Sequence, residues 1–139
     1  MSTILLVEDE PAILDLMSAV LEPSGHAILK ASTLDEAMKR FDETDGNIDL
    51  LIADVNLPGT SGIRVALELR SLLPNLAIVL TSGYTPDMWN ATDVIELNEL
   101  PSESIAVLQK PFLPATLFQL VSRFAGSPLR PGMALAKAS

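Results

Sequence analysis

The sequence predicts an α/β domain built on a parallel sheet, because short apolar runs alternate with stretches of helical periodicity. Continuous apolar runs of this length are typical of strands that are buried on both faces. Four runs end directly in acidic, hydroxyl or ammonium side chains: ILLVEDE, DLLIADVNLPG, IVLTSGY and VLQKPF. Parallel strands joined by right-handed crossovers end at one edge of the sheet, so these polar residues are expected to meet there.

The first half of the chain predicts three strands and two helices. Pro11 suits the first turn of the first helix, and Ser24-Gly25 is expected to end it. Thr33 and Glu36 have the spacing of a capping box for the second helix. The predicted strands are Ile4–Val7, Ala27–Ala31 and Leu50–Ala53.

The second half continues the alternation. The loop NLPGTSG leads into a third helix that Pro74 ends, and the last helix begins at Pro114. Tyr84–Ser104 is expected to hold only a short or irregular helix, because Pro86, Pro101 and scattered polar residues blur its periodicity. Strands four and five are predicted at Leu76–Leu80 and Ile105–Leu108.

Length and composition predict one domain over residues 1–125, because 139 residues suffice for a substantial core. Residues 126–139 are mostly small, are punctuated by Pro and Gly, and lack a core pattern. This composition predicts a flexible tail or linker after the domain.

Composition also narrows the function. The net charge of −9 and the absence of Lys and Arg between Ser71 and Gln109 argue against direct nucleic-acid binding. With no cysteine, disulfides and cysteine-based metal or redox sites are excluded. No apolar run approaches the roughly 20 residues of a membrane span, and the N-terminus lacks the pattern of a secretory signal. We therefore expect a cytoplasmic protein without a membrane segment.

The functional hypothesis rests on Glu8, Asp9, Asp54, Thr81 and Lys110, which follow or end four predicted strands. Each has an ordinary explanation when taken alone, as a helix-capping acid, a turn residue, a β-favouring hydroxyl or a solvated lysine. Three carboxylates at one edge would repel one another, since two like charges about 4 Å apart cost roughly 1–4 kcal/mol. A hard divalent cation such as Mg²⁺ resolves that repulsion. Asp54, held at a strand tip, could then act as a nucleophile and form an acyl phosphate.

The combination of ED after strand one, DVNLPG after strand three, TS after strand four and KPF after strand five resembles the receiver domain of bacterial two-component response regulators. The resemblance covers about Thr3 to Phe124. It implies a flavodoxin-like, doubly wound (βα)5 fold with a five-stranded parallel sheet in the order 2-1-3-4-5. It also implies a signalling protein in a phosphorelay rather than a classical enzyme, one that assists the phosphorylation and dephosphorylation of its own aspartate.

The resemblance assigns a role to each residue of the DVN and ED motifs. Asp54 is the phosphoacceptor, and its donor is a phosphohistidine of a sensor histidine kinase or a histidine phosphotransfer protein. Asp9, Asp54 and the backbone carbonyl of Asn56 would ligate Mg²⁺, while Glu8 would hold a coordinated water.

The remaining motif residues belong to strands four and five. Thr81 and Lys110 would contact the phosphoryl oxygens, and the Lys110–Pro111 peptide bond would be cis. The face formed by the fourth helix, the fifth strand and the fifth helix would change its conformational equilibrium and report the phosphorylated state.

Two features depart from the family pattern. The switch position three residues before Lys110 is Val107, whereas an aromatic residue is expected, and a valine cannot swing between buried and exposed positions as a tyrosine can. The segment between Thr81 and Lys110 is also longer than in compact receivers. Together with TSGY and QKPF, these features resemble receivers attached to hybrid histidine kinases, which implies an altered readout face and admits a role as phosphate relay or sink.

Two other interpretations remain open from the sequence. A pseudo-receiver would act as an interaction module without phosphorylation, although the acid cluster, Asp54 and Lys110 argue against it. A small phosphohydrolase of the haloacid-dehalogenase type would need an Asp-x-Asp motif, where this chain has DVN. A homodimer is compatible with the sequence.

Overall fold

A five-stranded parallel sheet forms the centre of the computed structural model, which describes residues 2–125. The strands are β1 (Thr3–Val7), β2 (Ala27–Ala31), β3 (Leu50–Asp54), β4 (Ala77–Ser82) and β5 (Ile105–Gln109). Their order across the sheet is β2-β1-β3-β4-β5, and every neighbouring pair is parallel. The predicted flavodoxin-like, doubly wound fold is confirmed. The predicted tail, residues 126–139, lies outside the described residues.

Five helices cover the two faces of the sheet: α1 (Pro11–Leu21), α2 (Leu34–Glu43), α3 (Gly62–Leu72), α4 (Ala91–Leu97) and α5 (Pro114–Ala125). Side chains alternate across each strand, so each face has its own core. On one face Ile4, Leu50 and Val79 pack with residues of α1 and α5, such as Met17 and Leu117. The opposite face packs against α2, α3 and α4. Among the helices of residues 2–125, none is long and apolar enough to cross a bilayer.

The start of α2 differs in detail from the predicted capping box. The Thr33 hydroxyl accepts a hydrogen bond from the Glu36 backbone N–H at 3.1 Å, as expected. The Glu36 carboxylate, however, accepts from the backbone N–H and the hydroxyl of Ser32, both at 2.7 Å. The reciprocal half of the cap therefore reaches one residue further back than the sequence spacing indicated.

The NLPGTSG segment, predicted as a loop, forms a small antiparallel hairpin between Asn56–Leu57 and Thr60–Ser61. Gly59 lies in its turn with a φ of 74°, a conformation that residues with a Cβ rarely adopt. The Gly62 N–H donates to the Val55 carbonyl at 3.0 Å, so the hairpin folds back onto the end of β3. The chain that follows β3 is consequently fixed rather than loose.

The segment Tyr84–Ser104 contains the seven-residue helix α4 between two 3₁₀ turns, Pro86–Met88 and Ser102–Ser104. The Asn90 side chain begins α4 by accepting a hydrogen bond from the Asp93 N–H at 2.8 Å. This confirms the short helix that the interrupted periodicity predicted.

Candidate functional site

The polar residues selected from the sequence lie at the carboxyl edge of the sheet. Glu8 directly follows β1, Asp54 ends β3, and Lys110 directly follows β5. Thr81, which is buried in β4, is the register partner of Asp54. The Val55 N–H donates to the Thr81 carbonyl at 2.9 Å, which holds the two strand ends side by side.

Three carboxylates cluster at this edge. One oxygen from each of Glu8, Asp9 and Asp54 lies within 4.8 Å of the other two. Glu8 and Asp54 are buried, with exposed fractions of 1% and 6%, whereas Asp9 is exposed to solvent. The cluster therefore has two carboxylates buried in the protein interior and one at the solvent-facing surface.

Lys110 supplies a positive charge in direct contact with the cluster. Its Nζ donates to Glu8 Oε1 and to Asp54 Oδ2, both at 2.8 Å. Burial disfavours the ammonium form, but the hydrogen bonds and charges of Asp54 and Glu8 outweigh that effect and raise the pKa of Lys110. Lys110 therefore stays charged and joins β5 to the ends of β1 and β3.

Glu8 has a strongly raised pKa. Burial raises the pKa of its carboxyl from 4.5 to about 7, and the Asp54 charge adds to the rise. Hydrogen bonds from Lys110 and from the Glu10 N–H, the latter at 3.3 Å, act in the opposite direction. Without a further cation, the edge thus holds a proton near neutral pH rather than two buried negative charges.

Stability without divalent metal is expected to fall as pH rises through this window. Between pH 4.5 and about 7 the folded protein keeps the Glu8 proton that the unfolded chain releases, so rising pH favours unfolding. Urea unfolding in excess chelator measures this effect. Between pH 5 and 7.5, the free energy of unfolding of wild type should fall by about 1–2 kcal/mol more than that of Glu8→Gln. Parallel pH profiles for the two proteins would contradict the assignment.

The donor set fits a hard divalent cation. Carboxylate oxygens are the ligands that Mg²⁺ prefers, and it commonly takes one or two of them together with waters and phosphate oxygens. Burial first and the Asp54 charge second raise the pKa of Glu8, and a divalent cation beside these carboxylates would offset both effects. A cation at this cluster would be bound partly by Asp9. Because Asp9 is exposed to solvent, water and a further ligand could also reach the cation.

The backbone around Asp54 depends on Gly62, a residue that the sequence reading placed only in a loop motif. The Asn56 N–H donates to Asp54 Oδ1 at 3.1 Å, which orients the carboxylate. A Cβ on Gly62 would lie 2.0 Å from the Asp54 carbonyl oxygen, far inside contact distance. A glycine at the first position of α3 was the available signal, but the sequence does not say which backbone it approaches.

The two remaining motif positions are both on or next to β5. Val107 is half-buried and pairs with Leu80 in the register of β4 and β5. The Lys110–Pro111 peptide bond is cis, as the resemblance implied.

Thr81 is placed beside Asp54 by the pairing of β4 with β3. Among the hydrogen bonds described for residues 2–125, its hydroxyl makes none to the carboxylates of the cluster.

Comparison with known proteins decides the family. Residues 4–122 match the family model of the response regulator receiver domain. The chain belongs to this family. Receiver domains are signalling modules of two-component phosphorelays rather than classical enzymes, and they accept phosphoryl groups from histidine kinases.

In two curated relatives, the region similar to this chain is part of a longer protein. It is 32% identical to the regulatory protein VanR of Enterococcus faecium over 118 residues, which are 85% of this chain and 47% of VanR. It is 30% identical to the sensor kinase CckA of Brucella abortus over 112 residues, 80% of this chain and 11% of CckA. The chain thus spans less than half the length of either relative.

Solved receiver structures agree with the fold. The response regulator TrrA of Thermotoga maritima, solved in complex with Mg²⁺ and BeF, has a TM-score of 0.70 and 32% identity, covering 89% of this chain and 99% of TrrA. The receiver domain of the hybrid histidine kinase CckA has a TM-score of 0.71 and 29% identity, covering 88% of this chain and 98% of that domain. The resemblance read from the motifs is therefore confirmed.

Proposed function

We propose that Asp54 accepts a phosphoryl group from a phosphohistidine of a sensor histidine kinase or a histidine phosphotransfer protein. The observation that carries this proposal is the buried Asp54 carboxylate, which lies 2.8 Å from Lys110 Nζ and within the cluster formed with Glu8 and Asp9. The modified aspartate then alters an interaction surface that a downstream protein recognises.

The chemistry is an in-line displacement at phosphorus. A carboxylate oxygen of Asp54 forms the new P–O bond as the bond from phosphorus to the histidine nitrogen breaks, and the imidazole leaves with that electron pair. Lys110 exchanges its bond to Asp54 for one to a phosphoryl oxygen, and the Thr81 hydroxyl donates to a second oxygen. Because these donors are fixed at strand ends, the domain mainly positions groups and neutralises charge.

Asp9, Asp54 and the backbone carbonyl of Asn56 would hold Mg²⁺, and Glu8 would bind a coordinated water. The ion supplies charge neutralisation for the phosphoryl oxygens when bound. Glu8 would give up its proton on metal binding, since a nearby divalent charge would stabilise the carboxylate form and lower the pKa of its carboxyl.

The test is the intact mass of the protein after incubation with acetyl phosphate and Mg²⁺. Wild type should gain one phosphate, Asp54→Asn should gain none, and chelator should prevent the adduct. Asp15→Asn is the matched control, because its carboxylate is largely exposed on α1 and pairs with Lys30 at 3.3 Å, away from the phosphoacceptor cluster. A wild type that gains no phosphate and does not respond to beryllofluoride would contradict the proposal and favour a pseudo-receiver.

The lifetime of the phosphoryl group is expected to depend on Gly83, two positions after Thr81. A Cβ at Gly83 would meet no atom within 4 Å, so that side of the edge is open and water can approach. Gly83→Tyr and Gly83→Arg should lengthen the phosphoryl half-life several-fold, whereas Gly83→Ala should change it little. Decay of the adduct followed by mass spectrometry checks this, and an unchanged half-life in both bulky variants would count against it.

Direct partners are proposed to be proteins. The net charge of −9 is unfavourable for a nucleic-acid surface. A homodimer is a further proposal, which sedimentation with and without beryllofluoride would test. A chain without cysteine suits the reducing cytoplasm, the compartment we propose.

A further inference from the structure

Val107 leaves this receiver without an aromatic residue on β5 at the switch position, but an aromatic residue packs on the same face. Trp89, the only tryptophan of the chain, and Val107 both lie against the core that packs with α2, α3 and α4. Leu80, the register partner of Val107, belongs to the same core. The same core therefore has an aromatic residue at position 89 and a valine at position 107.

Ser82 connects Trp89 to the phosphoryl site. Its side chain is fully buried, and its hydroxyl oxygen accepts the Trp89 indole N–H at 3.2 Å and the Tyr84 N–H at 3.1 Å. Its backbone carbonyl accepts the Lys110 N–H at 2.8 Å. Since Ser82 directly follows Thr81, it is tied to both residues that are proposed to contact the phosphoryl group.

Trp89 in turn is joined to α4. It directly precedes Asn90, the N-cap of that helix, and its own N–H donates to the Pro86 carbonyl at 3.1 Å. Near the C-terminal end of α4, Glu96 forms an ion pair with Arg64 of α3. The helix is thus held at its start through Trp89 and near its end by an ion pair.

The hydrogen bond donated by the Trp89 indole N–H can readily change its acceptor. It is shared between Ser82 Oγ and the Tyr84 carbonyl, and both distances are 3.2 Å. A long, shared bond between neutral groups costs little to rearrange, particularly beside the exposed loop of Gly83 and Tyr84. A small displacement of Ser82 can therefore change which group the indole contacts.

We propose that Ser82 and Trp89 couple phosphorylation of Asp54 to the position of α4, in place of an aromatic residue at 107. The proposal rests on the proposed function. When Thr81 and Lys110 turn toward the phosphoryl oxygens, Ser82 moves with them, the indole loses one acceptor, and the start of α4 shifts. Ser82 acts here as a positioning residue, since it touches neither the metal nor the phosphoryl group.

The experiment compares amide NMR spectra with and without Mg²⁺ and beryllofluoride, a stable stand-in for the phosphoryl group. In wild type the amides of Asp93 and Val94 and the indole N–H of Trp89 should shift, and Trp89 fluorescence should change. Asp54→Asn should show none of these changes. Trp89→Phe, which keeps a ring but removes the N–H, and Ser82→Ala should still gain phosphate but lose most of the α4 shifts.

Met88→Ala is the matched control, because Met88 lies in the same segment with 67% of its surface exposed, and it should keep the wild-type shifts. Where Ser82→Ala folds poorly, Trp89→Phe decides alone. Wild-type α4 shifts in a phosphorylated Trp89→Phe protein would overturn the coupling and leave the proposed function standing, as would a wild-type adduct without any shift in α4. Absence of the adduct in wild type would overturn the proposed function, and the coupling with it.

Discussion

Replacing Gly62 with alanine is expected to lower both the stability of the domain and its phosphorylation. The added Cβ would lie 2.0 Å from the Asp54 carbonyl oxygen, 2.6 Å from the Asp54 carbonyl carbon and 3.2 Å from the Val55 nitrogen. These are backbone atoms, which cannot rotate away as a side chain can. Overpacking against movable groups costs about 1–3 kcal/mol, so we expect a loss of about 3 kcal/mol or more in the free energy of unfolding.

The helix propensities of glycine and alanine would by themselves make Gly62→Ala stabilising. Alanine is favoured over glycine in a helix by up to about 1 kcal/mol, so a loss of stability cannot come from the propensity of α3. Any relief of the clash must move the end of β3 and with it the Asp54 carboxylate. A displacement of about 1 Å in a reacting group can slow a reaction about 10²-fold.

Urea unfolding and the rate of adduct formation from acetyl phosphate test this expectation together. Gly83→Ala is the matched control, since its Cβ meets nothing within 4 Å and it also lies at a strand-to-helix connection. A Gly62→Ala protein with the wild-type urea midpoint and the wild-type adduct rate would show that the close approach to Asp54 has no consequence.

Replacing Lys110 with methionine is expected to leave Glu8 and Asp54 without their shared cation. The methionine side chain retains most of the volume but cannot donate the two bonds at 2.8 Å. Removing one partner from a buried ion pair typically costs about 3–5 kcal/mol. Here Glu8 can take up a proton instead, so we expect a loss of about 2–4 kcal/mol at pH 8 and a smaller one at pH 6.

The loss should depend on metal, because Mg²⁺ can replace part of the missing positive charge. Unfolding in chelator and in excess Mg²⁺ measures that difference. Adduct formation, measured in excess Mg²⁺, should slow about 10²-fold. Lys30→Met is the matched control, since Lys30 makes an exposed ion pair with Asp15 that contributes at most about 1 kcal/mol. Equal effects of the two lysine substitutions at pH 8 would refute a special role for Lys110.

The main elements of the fold were predictable because their signals are local. The run Leu50–Ala53 is apolar without interruption, which is typical of a strand that is covered on both faces, and β3 is indeed buried along its whole length. The interrupted periodicity around Pro86 correctly predicted a short α4. The site residues followed from the same logic, since a parallel sheet brings its carboxyl strand ends together, and Glu8, Asp54 and Lys110 are in direct contact.

Features that depend on contacts between distant segments were not predictable in this way. The hairpin between Asn56–Leu57 and Thr60–Ser61 was read as a loop, because two-residue strands carry no periodicity. Ser82 belongs to the TS motif after strand four, but no pattern in the sequence links it to Trp89. Their hydrogen bond exists only because the chain after β4 turns back over the core.

The sequence by itself determined the order of strands and helices, the acidic, hydroxyl and lysine residues of the edge, and the family to which they point. Each of these depends on the type of a residue and its place after an apolar run. The tertiary structure decided that Lys110 bridges Glu8 and Asp54, that Gly62 must lack a Cβ beside Asp54, and that Trp89 meets Ser82. These features are contacts between residues that are far apart in the sequence. They form only when the packing of the core brings those backbones and side chains together.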